Sequence, residues 1–399
     1  MNRGGFSWKR LLGVTRVKSD ISRATGIPLT KSGRQRKIGR ASDVRRMLTT
    51  AVVLGVLGLM VQPSLGLRAD AACAADGWTA QRSGTDALLF SVAFPDATHG
   101  WAVGGLGATI IKTADGGAHW TAQTPGNRSS LVSVSFPDAT HGWAVGNAGT
   151  ILATTDGGVH WTAQKSGTGG DLESVAFTDP RHGWAVNGLA STILRTTDGG
   201  AHWTAQRLGT ATGLSSVAFP DAAHGWAVGA DGAVLKTVDG GAHWAAQRAS
   251  SEHGLFAVTF LDTTHGWAVG GWGTILATVD GGTHWIPQTS GTDNDLHSVA
   301  FFDAAHGWAV GASGTLLSTA DGGAHWEART SGTRHDLQSI GLSGSAHAWV
   351  VGDRGTILAQ GPAPAAPPYE WIAGALIVVL AFGGAGVALR GRRKAKSSG

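Results

Sequence analysis

The chain has 399 residues, among them 62 glycines and 17 tryptophans but a single tyrosine, Tyr369, and a single cysteine, Cys73. One cysteine excludes an internal disulfide framework and any Cys-rich zinc site. The formal net charge of +4 is spread unevenly: residues 1–73 hold 14 Lys/Arg against 3 Asp/Glu, residues 361–399 hold 5 against 1, and the stretch between holds 12 against 23, so the body of the protein is acidic and would repel nucleic-acid phosphates.

Residues 1–46 form a basic segment expected on the cytoplasmic side. Met47 to Val61 is an uncharged apolar run directly after Arg45-Arg46, followed by Gln62-Pro63 and a small-residue stretch with Ala69-Asp70-Ala71. That order of basic, apolar and A-x-A segments reads over residues 47–72 as a secretory signal peptide or, given the long segment ahead of it, as an uncleaved N-terminal anchor. Residues 74–360 then carry a repeat.

His-Gly-Trp recurs at His99, His141, His182, His224, His265 and His306, with His347-Ala348-Trp349 as a seventh variant, at spacings of 41 or 42 residues. A period of this length with several short strands per unit predicts a β-propeller. In the first unit the predicted strands are Ser91–Phe94, Gly100–Gly104, Thr109–Thr113 and Trp120–Gln123, β-branched and aromatic runs bounded by Gly, Pro and Asp. The third-to-fourth turn is an Asp-box, Thr113-x-Asp115-x-Gly117-x-x-Trp120, recurring at Asp156, Asp198, Asp239, Asp280 and Asp321. The carboxylate is expected to cap backbone N–H groups, the glycines to supply positive φ, and the Trp to pack between blades. The seventh unit stops after its third strand at Thr356–Ala359, while Asp76-Gly77-Trp78-Thr79-Ala80-Gln81 matches an Asp-box exit. The N-terminal strand is therefore expected to complete the last blade, giving an all-β, seven-bladed ring with no open sheet edge.

Beyond the repeats, residues 361–370 begin GPAPAAPP, a stiff polyproline-like linker. Trp371 to Leu389 is 19 uncharged residues, enough for a transmembrane helix. Residues 390–399 carry Arg390, Arg392, Arg393, Lys394 and Lys396, which predicts a cytoplasmic tail and places the propeller outside the membrane.

The units, GWAVG at Gly142–Gly146 and GTILATTDGGVHW at Gly149–Trp161, resemble the photosystem II stability and assembly factor family over about residues 75–360. The resemblance implies a seven-bladed propeller of bacterial-neuraminidase-type repeats on the lumenal side of photosynthetic membranes, acting by binding protein partners.

Asp-boxes also occur in sialidases, which need a Tyr nucleophile; Tyr369 lies outside the repeats. A two-carboxylate glycosidase would have to use the carboxylates outside the two repeat-registered series: Asp76, Asp86, Asp171, Glu173, Asp231, Glu252, Asp293, Asp295, Glu327, Asp336 and Asp353. No pair among them stands out. Thirteen of the 16 histidines fall in the His-Gly/Ala-Trp and pre-Trp series, one of each per blade, and His253, His297 and His335 lack metal-ligand spacing. No cofactor and no metal are expected.

Function in a repeat scaffold belongs where the repeats differ. The second-to-third strand loops vary at Leu106, Asn147, Leu189, Asp231, Trp272, Ser313 and Arg354. The loops entering the first strands vary at Arg128, Glu173, His253, Asn294, His297, Arg334 and His335. In a propeller these two loop sets share one face. The candidate partner-binding residues are Trp272, Arg354, Arg334, His335, Arg128, Asp231 and His297. The expected function is a non-catalytic, membrane-anchored scaffold that binds a membrane-complex subunit and no nucleic acid. The alternative is a cell-surface glycan-binding protein or glycosidase.

Overall fold

A computed structural model describes residues 77–361, except 106, 127, 189–190, 209–212, 250 and 345–346. Among them are seven four-stranded antiparallel sheets, each one blade of a propeller. Blade 1 consists of Leu89–Ala93, Gly100–Gly104, Thr109–Thr113 and Thr121–Gln123, with Val92 opposite Ala102 and Ala102 opposite Ile111. Its inner strand starts two residues earlier than the sequence pattern predicts. Leu89 pairs with Gly104, but the register shifts between Leu89 and Ser91. Such a bulge breaks the period-2 alternation by which a strand is read, and all seven inner strands carry it.

The ring closes through the chain termini of the domain. Trp78–Arg82 pairs antiparallel with Thr356–Gln360, from Trp78 opposite Gln360 to Arg82 opposite Thr356. The predicted transmembrane helix at 371–389, its linker and tail, and the segments of residues 1–72 lie outside the described residues. Among the described residues no helix is long and apolar enough to cross a membrane.

The blade seams are built by a relay of three aromatic rings. Trp101 of blade 1 stacks on Phe136 of blade 2 with centroids 3.7 Å apart, and Trp161 meets the same Phe edge-on at 6.0 Å. The indole N–H of Trp101 donates to the Gly157 carbonyl in the Asp-box turn of blade 2 at 3.1 Å. Trp143 with Phe177, Trp184 with Phe219, Trp226 with Phe260, Trp267 with Phe301 and Trp349 with Phe94 repeat the stack. Such pairs contribute about 0.5–1.5 kcal/mol beyond their buried area. Both Trp series serve the seam: the His-Gly-Trp member is the more deeply buried, with Trp101 and Trp184 0% exposed, while the Asp-box member packs beside it as the sequence predicts, Trp120 and Trp285 being buried and Trp161, Trp203 and Trp244 partly so. The glycine of His-Gly-Trp is needed because the Phe ring lies on it; a Cβ at Gly142 would overlap the Phe136 ring.

The seam between blades 6 and 7 departs from this plan. Leu342 replaces the Phe, and Trp308 meets Trp78 edge-on at 5.1 Å and remains half-buried. Arg329 stands where the other outer strands carry Gln, and among the described residues the buried Nε1 of Trp78, like those of Trp161 and Trp285, has no hydrogen-bond partner. A cleft of about 780 Å³ opens here, lined in part by Trp308, Asp321, His325, Glu327 and Arg329.

Candidate functional site: the variable-loop face

One face of the ring is architectural. Asp115 Oδ1 accepts the His119 backbone N–H at 2.9 Å and the Thr113 hydroxyl at 2.8 Å, and Asp115 Oδ2 lies 2.7 Å from His119 Nδ1. On the neighbouring turn Asp96 Oδ1 accepts the N–H groups of Thr98 and His99, each at 2.7 Å, and Asp96 Oδ2 lies 2.8 Å from His99 Nδ1. A backbone bond from Gly116 N–H to the Thr98 carbonyl at 2.9 Å ties the two turns together. The same Asp-box arrangement recurs at Asp156, Asp198, Asp239, Asp280 and Asp321. The backbone N–H of the following His, then its ring, hold the carboxyls of Asp156, Asp198, Asp280 and Asp321 at about 2, below their ordinary 3.8. Each Asp–His pair is closed within its own turn. Among the described residues no group of three His, Cys, Asp or Glu is placed to hold a metal.

The opposite face carries the variable loops. Every second-to-third strand loop places a non-glycine residue in the left-handed region: Ala108, Ala148, Ser191, Asp231, Trp272, Ser313 and Arg354, with φ between 44° and 61°. Asn147, singled out in the sequence, sits one position before this site; its structural equivalent is Ala148. Leu106 and Leu189 lie outside the described residues. Three carboxylates that the sequence left unassigned fix these loops. Asp171 accepts the Ala148 N–H at 2.7 Å, Asp295 the Trp272 N–H at 2.9 Å and Asp336 the Ser313 N–H at 2.8 Å, each from the entry loop of the next blade. Two others also have partners: Glu327 pairs with Arg329 at 2.6 Å and Asp353 accepts from Gln338 at 3.2 Å.

Trp272 is 69% exposed. Its ring lies 6.3 Å from that of His253, and Phe256, 37% exposed, lies 6.3 Å from His297. A Cβ at Gly271 would lie 3.8 Å from both His253 and Phe256, so the four rings belong to one patch on blades 5 and 6. His297 Nδ1 also lies 3.1 Å from the Leu337 carbonyl. Phe256 escaped the sequence reading. It is the bulged residue of its inner strand, and Phe90, Val132, Glu173, Ser215, His297 and Gln338 hold the same place in the other blades. Burial, with a smaller contribution from the Asp171 charge, raises the Glu173 carboxyl above its usual range.

The remaining candidates lie outside the four-ring patch itself, on blades 7, 2 and 4. Arg354 and Arg334 are exposed at blade 7, and His335 Nδ1 lies 3.3 Å from the Thr356 hydroxyl. Arg128 is exposed and lines a cleft of about 660 Å³ between the entry loops of blades 1 and 2. Asp231 is exposed at the tip of the blade 4 loop.

Comparison with known proteins gives a consistent picture. No curated protein matches the chain. Among solved structures it is similar to YCF48 bound to D1 peptide, at 22% identity and a TM-score of 0.62, covering 72% of this chain and 97% of that one. It is equally similar to YCF48 from Cyanidioschyzon merolae, at 23% identity and 0.62, covering 72% and 99%. A GH74 xyloglucanase from Xanthomonas campestris aligns at 16% identity and 0.58, covering 73% of this chain and 54% of that one, a likeness of fold. The model of the family described as photosynthesis system II assembly factor YCF48 matches residues 70–162, 203–256 and 288–362. With more than half of its length matched, the chain belongs to the YCF48 photosynthesis system II assembly factor family.

Proposed function

We propose that this protein is a non-catalytic scaffold that binds a protein subunit of a membrane complex through its variable-loop face. The observation that carries this reading is Trp272, a large apolar side chain 69% exposed on a loop tip held at φ 55°. An exposed Trp beside other rings is the composition of a binding hot spot. Support also comes from the YCF48 structure that contains a D1 peptide. Membrane attachment through residues 371–389, with the propeller outside and the C-terminus in the cytoplasm, follows from the apolar run and its basic flank in the sequence. A glycan-directed role has less support, because five of its spare carboxylates are engaged by loop N–H groups or neighbouring side chains.

The test is affinity capture of the full chain from detergent-solubilised membranes, comparing wild type with Trp272→Ala/Arg354→Ala. The reading predicts a stoichiometric membrane-protein companion with the wild type that is depleted with the double variant. Equal recovery with both would move the site elsewhere, and a glycan as the sole companion would support the alternative.

A further inference from the structure

The aromatic patch has a chemical bias that its rings alone do not explain. Trp272 sits among three loops: the entry loop of blade 5, which bears Glu252 and His253; its own loop; and the entry loop of blade 6, which bears Asp293 and Asp295. The blade 4 loop with Asp231 abuts the first of these, since a Cβ at Gly232 would lie 2.8 Å from the Ser251 carbonyl oxygen. Asp231, Glu252 and Asp293 are exposed, and none has an ion-pair partner among the described residues. Residues 230–232, 249–254, 271–273 and 289–295 contain no Lys or Arg; Arg248 is the nearest in sequence. Of the cationic side chains, Arg334 and Arg354 belong to blade 7 and Arg128 to the entry loop of blade 2, while the exposed Arg248 follows the outer strand of blade 4, just ahead of the blade 5 entry loop. The Trp272 sector therefore brings aromatic rings and carboxylates together.

An indole face attracts a desolvated ammonium or guanidinium, and neighbouring carboxylates add long-range attraction and a hydrogen-bond acceptor. Resting on the protein-binding reading above, we propose that the Trp272 sector recognises a Lys- or Arg-bearing polypeptide segment. The cationic group lies over the Trp272 ring, its aliphatic stem packs towards Phe256, and Asp231, Glu252 and Asp293 surround it. Asp295 acts on the loop instead: its carboxylate accepts the Trp272 N–H at 2.9 Å and so sets the backbone that displays the ring.

The experiment uses the full chain in detergent and two fluorescent peptides of equal length, one alternating Lys and Leu, the other Glu and Leu. Fluorescence anisotropy should show binding of the Lys peptide, weakened about tenfold by Trp272→Ala. Binding should weaken about threefold, with loss of its salt dependence, in Asp231→Asn/Glu252→Gln/Asp293→Asn. A Trp272→Phe variant should retain most of the affinity, which separates ring chemistry from a folding defect. Equal affinity for both peptides, or a Lys-peptide affinity unchanged in both variants, overturns the proposal. Tighter binding of a peptide spanning residues 1–46 than of the Lys peptide would overturn it in another way, assigning the sector to the chain's own basic segment. If capture of a membrane subunit still depends on Trp272 while the peptides show no charge preference, the scaffold reading stands and this proposal alone falls.

Discussion

At the scale of single residues the telling position is the left-handed one in each variable loop. A non-glycine residue there costs about 1–2 kcal/mol, yet the loops carry Trp272 and Arg354. Glycine would relieve that strain while adding roughly 1 kcal/mol of unfolded-chain entropy, so the two effects nearly cancel. Trp272→Gly should therefore leave the melting temperature within a few degrees of wild type while depleting the captured partner. A large loss of stability would show instead that Trp272 is part of the architecture. Trp272 was legible in the sequence because it is the only Trp within the repeats that belongs to neither Trp series. Phe256 was not, because its position depends on a bulge that shifts the register between Leu255 and Ala257. The roles of Asp171, Asp295 and Asp336 were not legible either, since each caps a loop 23 residues earlier in the chain.

At the scale of elements the blade seam holds the ring together, and its seven copies are not equal. Trp101→Phe keeps the stack on Phe136 but removes the N–H bond to Gly157 from a fully buried site. The expected loss is about 1–2 kcal/mol. Trp308→Phe at the blade 6–7 seam should cost less, because Trp308 is half-buried and is not stacked on a Phe. Denaturant melts of the two variants would check the difference, and equal losses would contradict the seam's asymmetry. The blade count was readable from the 41- and 42-residue period and the closing strand from the Asp-box exit at Asp76–Gln81, while the start of each inner strand was hidden by its bulge. The seam was only half readable: both Trp series could be placed between blades, but the stack of the His-Gly-Trp ring on the next blade's Phe depends on how adjacent blades lean on one another.

At the scale of the whole molecule the two faces differ in chemistry. The architectural face concentrates Asp–His pairs whose carboxyls are held low in the folded state, at about 2 for Asp156, Asp198, Asp280, Asp303 and Asp321 against an ordinary 3.8. A depressed carboxyl pKa contributes stability that is present above 3.8 and is lost as pH falls towards 2. The melting temperature should drop across that window, and Asp156→Asn should make the drop shallower; a pH-independent melt there would contradict this account. The variable face is irregular, which fits a surface that chooses a partner while the other maintains the ring.

The most direct measurement is site-specific photo-crosslinking in intact membranes, with a benzophenone amino acid placed at position 272 or at position 159. Val159 is 67% exposed in the Asp-box turn of blade 2, on the opposite face. The account predicts a discrete adduct with a membrane-complex subunit from position 272 and none from position 159. Adducts from position 159 alone, or from neither position, would contradict it.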